Sequence, residues 1–232
     1  CDPAGGGFER GTVAVRAGPP GVGTATLGAL YAVQAAAEGR RSVIYLFEER
    51  EGTIVHRCRS LGMPIDAARE EGLVSIETID PLTKSAEEFA HGVRNRVESD
   101  GTGMVLIDGF GGYTTSIQGT TDELRRDLHA LTRYLSHNEV TTFVTDATHR
   151  ITGIGSATSS NISPMADNLL FLSYIELDGS LRKVVGVLKK RAGGFEHTLR
   201  EFEITADGVG AGEPLTGLYG IVRGSPRTDG RE

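Results

Sequence analysis

Blocks of hydrophobic and polar residues alternate along the chain with two different spacings. Short apolar or β-branched runs predict strands at residues 12–16, 42–47, 73–79, 104–107 and 141–145. Longer stretches with apolar residues three and four apart predict helices at residues 24–38, 52–61, 85–98 and 121–136. Because strands and helices alternate, the pattern predicts an α/β fold with a mostly parallel sheet flanked by helices.

The pattern changes after residue 150. Residues 150–164 are rich in Ser, Thr, Gly and Asn, which predicts a long loop. Two strand-like runs at 169–176 and 181–188 flank Asp178-Gly179, a pair typical of a tight hairpin turn, and residues 199–205 predict a further strand. We therefore expect a single domain with a core at about 8–205, a C-terminal antiparallel β-hairpin extension and a tail at 206–232.

Composition places the chain among globular proteins. Of its 232 residues, 38% are hydrophobic and 24% are charged, which argues against a disordered chain. No run approaches about 18 apolar residues and no stretch resembles a signal peptide, so we expect a cytoplasmic protein without a membrane span. Cys1 and Cys58 are expected to be free thiols. The first residue is Cys rather than Met, and we expect a fragment of a longer protein.

Net charge and residue spacing narrow the range of possible functions. The formal net charge is −7, so we do not expect the broad basic surface that holds nucleic-acid phosphates. The six histidines and two cysteines show no metal-ligand spacing, and no serine stands in a nucleophile elbow. Metal binding by His or Cys and hydrolysis by a catalytic triad are therefore not expected.

A glycine-rich segment, from Gly18 to Gly23, lies between a predicted strand and a predicted helix. Backbone N–H groups of such a loop, together with a helix N-terminus, can bind phosphate. The phosphate-loop pattern G-x-x-x-x-G-K-[ST] has its glycines here at the correct spacing, but Thr24 stands at the Lys position and Ala25 at the hydroxyl position. The segment is either a degenerate phosphate loop or a tight turn that binds nothing.

Charged side chains stand at the ends of several predicted strands. Asp108 ends the run MVLID, where a nucleotide's Mg²⁺ is normally held, although a carboxylate there can also cap a turn. Glu48 and Glu49 follow SVIYLF; one of them could activate a water, or both could be a solvated strand end. Lys189 and Arg191 share a face of a predicted strand and could reach a phosphate or form an ordinary basic edge.

With these residues in view, the chain resembles the KaiC family of RecA-type ATPases over nearly its whole length. The segments that carry the resemblance are GGGFERGTV (5–13), AGPPGVGTATL (17–27), YLFEE (45–49), MVLIDGF (104–110) and LKKRAGGFEHTLREFEIT (188–205). SYIELDGSLRKVVGVLKKR (173–191) and IVRGSPR (221–227) resemble the second of the two duplicated KaiC domains. The resemblance implies a RecA-like fold and a piece of a longer two-domain chain.

The resemblance also implies functional residues and partners. It implies a homohexameric ring with ATP or ADP and Mg²⁺ between subunits, and regulatory protein partners. Asp108 would hold Mg²⁺, Glu48 or Glu49 would be the catalytic base, and Lys189 and Arg191 would act on the nucleotide of the neighbouring subunit. The implied nucleotide-binding residues are Gly18, Pro19, Pro20, Gly21, Val22, Gly23, Thr24, Ala25 and Thr26.

A phosphorylation site of the family is only partly retained. In the second KaiC domain, adjacent Ser and Thr residues near the subunit boundary are autophosphorylated, and this resemblance places Ser163 and Pro164 there. Because Pro has no hydroxyl, a two-site phosphorylation cycle cannot be inherited intact. Ser163 and Thr158, which lies five residues earlier, are the candidate phosphorylation sites.

The phosphate loop is the larger departure from the family. Lys normally neutralises phosphate charge and the next Ser or Thr ligates Mg²⁺, and Thr24 and Ala25 can do neither. Thr26 carries a hydroxyl, but it lies roughly 100° around the helix from the normal position. Loss of one preorganised donor costs about 2.7–4 kcal/mol, or roughly 10²–10³ in rate. We therefore expect ATP binding with reduced or lost hydrolysis, in a ring-shaped signalling or regulatory assembly.

Two other functions stay open from the sequence. One is a pseudo-ATPase that serves as an assembly module and has a vestigial nucleotide site. The other is a RecA-like recombination accessory protein, although the acidic net charge of −7 weighs against DNA binding. A nucleotide titration would separate the first from the leading hypothesis, and a salt-dependent DNA-binding assay would test the second.

Overall fold

Strands and helices alternate through the first two thirds of the chain. The computed structural model describes residues 7–80, 83–111, 114, 121–147, 162–177, 179–205, 208–221 and 227–228. The alternating elements are β1 (Val13–Gly18), α1 (Thr24–Ala37), β2 (Arg41–Leu46), α2 (Glu51–Ser60), α3 (Ile65–Glu70), β3 (Val74–Thr78), α4 (Ala86–Asp100), β4 (Thr102–Asp108), α5 (Thr121–His137) and β5 (Thr141–Ala147). The strands that follow are β6 (Asn168–Leu177), β7 (Ser180–Lys190), β8 (Arg200–Thr205), β9 (Gly208–Pro214), β10 (Leu218–Tyr219) and β11 (Arg227–Thr228).

One nine-stranded sheet organises these elements, in the order β3-β2-β4-β5-β1-β6-β7-β8-β9. Neighbouring strands are parallel from β3 to β6 and antiparallel from β6 to β9. The parallel strands β1, β2, β4 and β5 therefore end at the same edge of the sheet. β10 and β11 form a separate antiparallel pair.

Both faces of the parallel part are covered by helices. Along β2, Val43 and Tyr45 belong to the core beneath α4 and α5, whereas Ile44 and Leu46 belong to the core beneath α1, α2 and α3. Side chains alternate between the faces of a strand, so a strand that is buried on both sides is apolar at nearly every position. This double burial explains the continuous apolar run at residues 42–47.

The helix ends follow from local chemistry. At the start of α4, the Ser85 side chain accepts from the Glu88 N–H, and Glu88 accepts from the Ser85 N–H, which completes a capping box. The helix ends at Gly101, whose φ of 66° is favourable for glycine. The leucine stripe of α5 is buried as its spacing predicts, at Leu124, Leu128, Leu131 and Leu135.

The predicted fold class is confirmed, with elements that the sequence pattern did not predict, among them β10 and β11 in the tail. α3 was not expected, and β9 joins the sheet beyond the boundary at residue 205 that was predicted for the core. β9 reads GVGAGEP, which has weak strand propensity, and its pairing with β8 places it in the sheet. The predicted hairpin is present, since Leu177 lies opposite Ser180 in the β6–β7 register. Asp178 and most of the predicted 150–164 loop lie outside the described residues.

Two further expectations concern the thiols and the membrane. Cys58 is a free and buried thiol, and burial raises its pKa, while Cys1 lies outside the described residues. In the described part of the chain, no helix is both long enough and apolar enough to cross a membrane.

Candidate nucleotide site

The shared edge of the parallel strands opens into a cavity of about 670 Å³. The segment after β1, the end of β2 and the end of β4 all line it, as expected for a ligand site at the carboxyl ends of parallel strands. Predicted site residues that line this one cavity are Gly18, Pro19, Pro20, Gly21, Gly23, Thr24, Ala25, Thr26, Glu48, Glu49 and Asp108. Val22 is different, because its side chain is fully buried in the apolar core beneath the loop.

Two glycines shape the loop between β1 and α1. Gly21 and Gly23 have φ angles of 80° and 119°, in the region that favours glycine. A Cβ at Gly23 would lie 2.5 Å from Cδ1 of Ile204 and 2.9 Å from Cε1 of Phe202, so β8 leaves no space for a side chain there. α1 begins after Gly23 with no side-chain cap and no acidic residue in its first turn. No side chain in the cap or first turn of α1 therefore competes for the first N–H groups of the helix, which can bind an anion.

Asp108 is held rigidly at the end of β4. Its side chain is buried, and its Oδ1 accepts a hydrogen bond of 2.7 Å from Oγ1 of Thr145. The Thr145 hydroxyl in turn accepts from the Gly109 N–H at 2.9 Å. Burial raises the pKa of Asp108, and the nearby Glu48 adds to the increase, whereas the Thr145 hydrogen bond and the Arg57 charge oppose it. The sequence pattern predicts Thr145 only as the last residue of a strand, because its position opposite the end of β4 depends on the strand order.

Glu48 and Glu49 diverge from the end of β2. Glu48 lies against the turn after β4: a Cβ added at Gly109 would lie 3.0 Å from Cγ of Glu48. Glu49 turns towards α2 and forms an ion pair with Nη2 of Arg57. The structure therefore separates two neighbouring carboxylates that the sequence could not distinguish.

Arg57 is the functional candidate that sequence analysis missed. It lies on the second turn of α2 and lines the cavity, and its Nη1 is 3.5 Å from the Thr26 hydroxyl. The apolar residues Ile54, Val55 and Cys58 indicate the buried face of α2, but the contact of Arg57 with α1 depends on how the two helices pack and was not predictable. Lys183 of β7 also lines the cavity, which shows that the antiparallel extension forms one of its walls.

A second arginine lies deeper beneath the site. Arg16 of β1 is fully buried, and its guanidinium carbon is 4.1 Å from the centre of the Phe143 ring and 5.0 Å from that of Tyr31. Within the described structure its three side-chain nitrogens have no hydrogen-bond partner. Burial lowers its pKa to about 10, so the group stays charged at neutral pH and is stabilised by the two aromatic faces. Its charge also favours the ionised form of Asp108.

Lys189 and Arg191 lie away from this cavity. The Lys189 ammonium donates to the Ser163 carbonyl at 3.3 Å, and Arg191 donates to Asp167 at 3.1 Å and to the Pro164 carbonyl at 3.2 Å. Both cations thus contact the segment that contains the candidate phosphorylation site Ser163. Thr158, the other candidate, lies outside the described residues.

The donor set suits a Mg²⁺–nucleotide only in part. Asp108 offers a fixed carboxylate oxygen, the type of ligand that Mg²⁺ prefers, and the loop offers backbone N–H groups to phosphate. Within the described residues, no group of three or more His, Cys, Asp or Glu side chains is arranged to hold a metal unaided. Phosphate oxygens and water would have to complete the coordination of Mg²⁺, as is usual in nucleotide sites. Thr24 and Ala25 supply neither the cation nor the adjacent hydroxyl.

A parallel sheet with a glycine loop after β1 and a carboxylate at the end of β4 defines a RecA-like ATPase domain. A model of the KaiC ATPase family matches residues 2–215, and the chain belongs to that family. Its relatives include the circadian clock oscillator proteins KaiC of Nostoc sp., which is 25% identical over 222 residues, and of Synechococcus elongatus, which is 23% identical. The matches cover 96% of this chain but 42% of each relative, so the chain spans less than half their length.

Proposed function

We propose that this domain binds ATP or ADP together with Mg²⁺, and that its hydrolysis of ATP is reduced or lost. The observation that carries the proposal is the single cavity lined by the glycine loop, Asp108, Glu48 and Glu49, in which Thr24 and Ala25 replace the usual Lys and hydroxyl residue. Backbone geometry for phosphate is retained, whereas side-chain chemistry at the loop is not.

Each retained group has a distinct task in this proposal. The N–H groups at the start of α1 bind phosphate oxygens, and Asp108 holds Mg²⁺ while Thr145 fixes its orientation. Held by Asp108, Mg²⁺ would supply positive charge that offsets the charge of the phosphates. Glu48 is the candidate for the residual general base, because its side chain lies against Gly109, the residue that follows Asp108.

Slow turnover follows from the composition of the loop. The developing charge on the leaving phosphate oxygens is normally stabilised by the Lys of the loop. Loss of one such preorganised donor costs about 2.7–4 kcal/mol, or roughly 10²–10³ in rate. Binding is less affected, since backbone N–H groups contribute to it in any sequence.

We further propose that the domain acts within a ring of identical subunits, most simply six, that recruits regulatory proteins. Lys189 and Arg191 lie outside the cavity of their own chain, so they can contact a nucleotide only across an interface. A head-to-tail ring joins two different patches at every interface and closes without free ends. Such a ring would place Lys189 and Arg191, at and just after the C-terminal end of β7 (the basic end of β7), beside the cavity of the next subunit.

A vestigial nucleotide site is the second candidate function. The Glu49–Arg57 ion pair favours it, because it occupies one wall of the cavity with charges that satisfy each other. In that case the sheet and its extension serve assembly alone. Recombination accessory function has no comparable support, since the net charge is −7.

A calorimetric titration with ATP and ADP, in Mg²⁺ and high salt, tests the binding half of the proposal. We expect saturable binding, with phosphate release far slower than that of a Lys-containing relative. Absence of binding at millimolar nucleotide would leave the vestigial site as the better description. Rapid phosphate release that is abolished by Glu48→Gln with Glu49→Gln would overturn the claim of reduced hydrolysis.

A further inference from the structure

A cation enters the cavity from α2 rather than from the phosphate loop. Arg57 lines the cavity, pairs through Nη2 with Glu49, and places Nη1 3.5 Å from the Thr26 hydroxyl in the first turn of α1. Its charge also opposes the rise that burial causes in the pKa of Asp108. The guanidinium therefore lies in the same cavity as the loop that would bind phosphate and the carboxylate that would hold Mg²⁺.

The chemistry of Arg57 suits a phosphate. A guanidinium carries five N–H donors in a planar fork, so the Glu49 ion pair and the Thr26 contact leave donors for a further acceptor. The fork matches two phosphate oxygens at once, as it matches a carboxylate. The Arg57 side chain is 29% exposed, which leaves it accessible from the cavity.

We propose that Arg57 binds the β- or γ-phosphate of ATP from within the same chain and supplies the positive charge that Thr24 cannot. This role rests on the proposed nucleotide binding. The same guanidinium also engages the Glu49 carboxylate, so one residue of α2 contacts both the end of β2 and the proposed phosphate position. ATP affinity would then depend on Arg57, whereas slow turnover still follows from the Lys and hydroxyl that Thr24 and Ala25 replace.

The test is the dissociation constant of ATP, ADP and AMP in Mg²⁺, measured for the wild type and for Arg57→Ala. We expect ATP and ADP to bind about 10- to 100-fold more weakly to the variant, because the loss of one hydrogen bond to a charged group weakens binding by about this factor. AMP should bind equally to both, since it lacks the phosphates that Arg57 contacts. Arg59→Ala is the matched control: Arg59 lies on the same helix, is exposed and pairs with Asp66, and its loss should change no affinity.

Two double variants separate a direct contact from mere neutralisation of Glu49. Arg57→Ala leaves Glu49 without its ion-pair partner, and that charge alone could repel phosphate. If Arg57 contacts phosphate, Arg57→Ala with Glu49→Gln stays weak; full recovery of ATP affinity would overturn the proposal. In a Thr24→Lys background, Arg57→Ala should cost much less, because Lys then supplies the charge.

The outcomes also distinguish the role of Arg57 from the proposed nucleotide binding on which it rests. A wild type that binds neither ATP nor ADP would refute nucleotide binding and this role together. A wild type that binds ATP, beside an Arg57→Ala variant that binds it equally well, would refute the role of Arg57 alone. Thermal unfolding accompanies each titration, and if Arg57→Ala fails to fold, Arg57→Lys and Arg57→Gln give the same comparison with and without a positive charge.

Discussion

The two walls of the cavity differ in which features of an ATPase site they contain. The wall formed by the loop and α1 keeps its backbone shape, with Gly23 at a φ of 119° and an uncapped helix start, but has lost its cation and hydroxyl. The wall formed by the ends of β2 and β4 keeps its carboxylates and includes Arg57 from α2. In the proposed function, this difference separates phosphate recognition by backbone groups from the stabilisation of developing charge by side chains.

Restoring the loop wall should have the largest effect. Thr24→Lys with Ala25→Thr returns the missing cation and Mg²⁺ ligand, and we expect phosphate release to rise by roughly 10²–10³-fold. Steady-state phosphate release is the measurement. The same repair in an Asp108→Asn background should give no gain. An unchanged rate in the repaired protein would mean that the strand-end wall is inactive as well.

Changing the backbone shape of the loop wall should weaken ATP binding. Gly23→Ala forces a side chain into left-handed backbone, at about 1–2 kcal/mol, and against Ile204 of β8. We expect ATP affinity to fall by about tenfold or more, since the phosphate loses charge-assisted hydrogen bonds. Gly39→Ala is the control, because Gly39 has a φ of 75° but open space around it. It should lower the free energy of unfolding alone; equal ATP affinities for the two variants would contradict the role of the loop.

In the strand-end wall, the buried carboxylate of Asp108 should lower the free energy of unfolding at neutral pH. Burial raises the pKa of Asp108, so the folded protein holds this proton more tightly than the unfolded chain. The contribution of Asp108 to the free energy of unfolding therefore falls as pH rises through the unfolded and then the folded pKa.

Asp108→Asn should remove that pH dependence, because the amide oxygen can still accept from Thr145 but does not titrate. In EDTA, urea unfolding from the acid range to neutrality should show the variant gaining on the wild type as pH rises. The Mg²⁺-dependent increase in ATP affinity should fall about tenfold or more. A stability difference that is constant with pH would show that Asp108 is not the titrating group.

The smallest effect is expected at the basic end of β7. Arg191 is exposed, so Arg191→Ala should weaken ATP-dependent assembly by about 1 kcal/mol per interface, or about fivefold. Lys190→Ala is the comparison, because the Lys190 side chain is 4% exposed and pairs with Glu9 in its own chain. It should lower stability more and assembly less. Light scattering with and without ATP measures both variants, and a strict monomer throughout would exclude a role across subunits.

Prediction from sequence succeeded where the pattern is local. The continuous apolar run at residues 42–47 and the leucine stripe of α5 indicate burial directly, so the parallel sheet and all its helices except α3 were predictable. β9 was missed because its glycine-rich sequence forms a strand only through pairing with β8.

Within the site, the residues at strand ends were predictable, whereas the residues placed by packing were not. Asp108 and the glycine loop end strands, and such ends meet at one edge of a parallel sheet, so their convergence was predictable. Thr145, Arg57 and Arg16 were not, because their directions depend on strand order, helix rotation and core packing. Arg16 in particular is a charged residue in full burial, which sequence alone makes improbable.

The chemical state of bound nucleotide tests the separation of binding from turnover most directly. The wild-type protein would be loaded with ATP and Mg²⁺, freed of excess nucleotide, and its bound ATP and ADP quantified by chromatography over several hours. We predict that nucleotide remains bound and stays ATP, whereas the Thr24→Lys with Ala25→Thr protein converts it to ADP. Wild-type protein that retains only ADP, or that retains no nucleotide while the repaired protein does, would contradict the central claim.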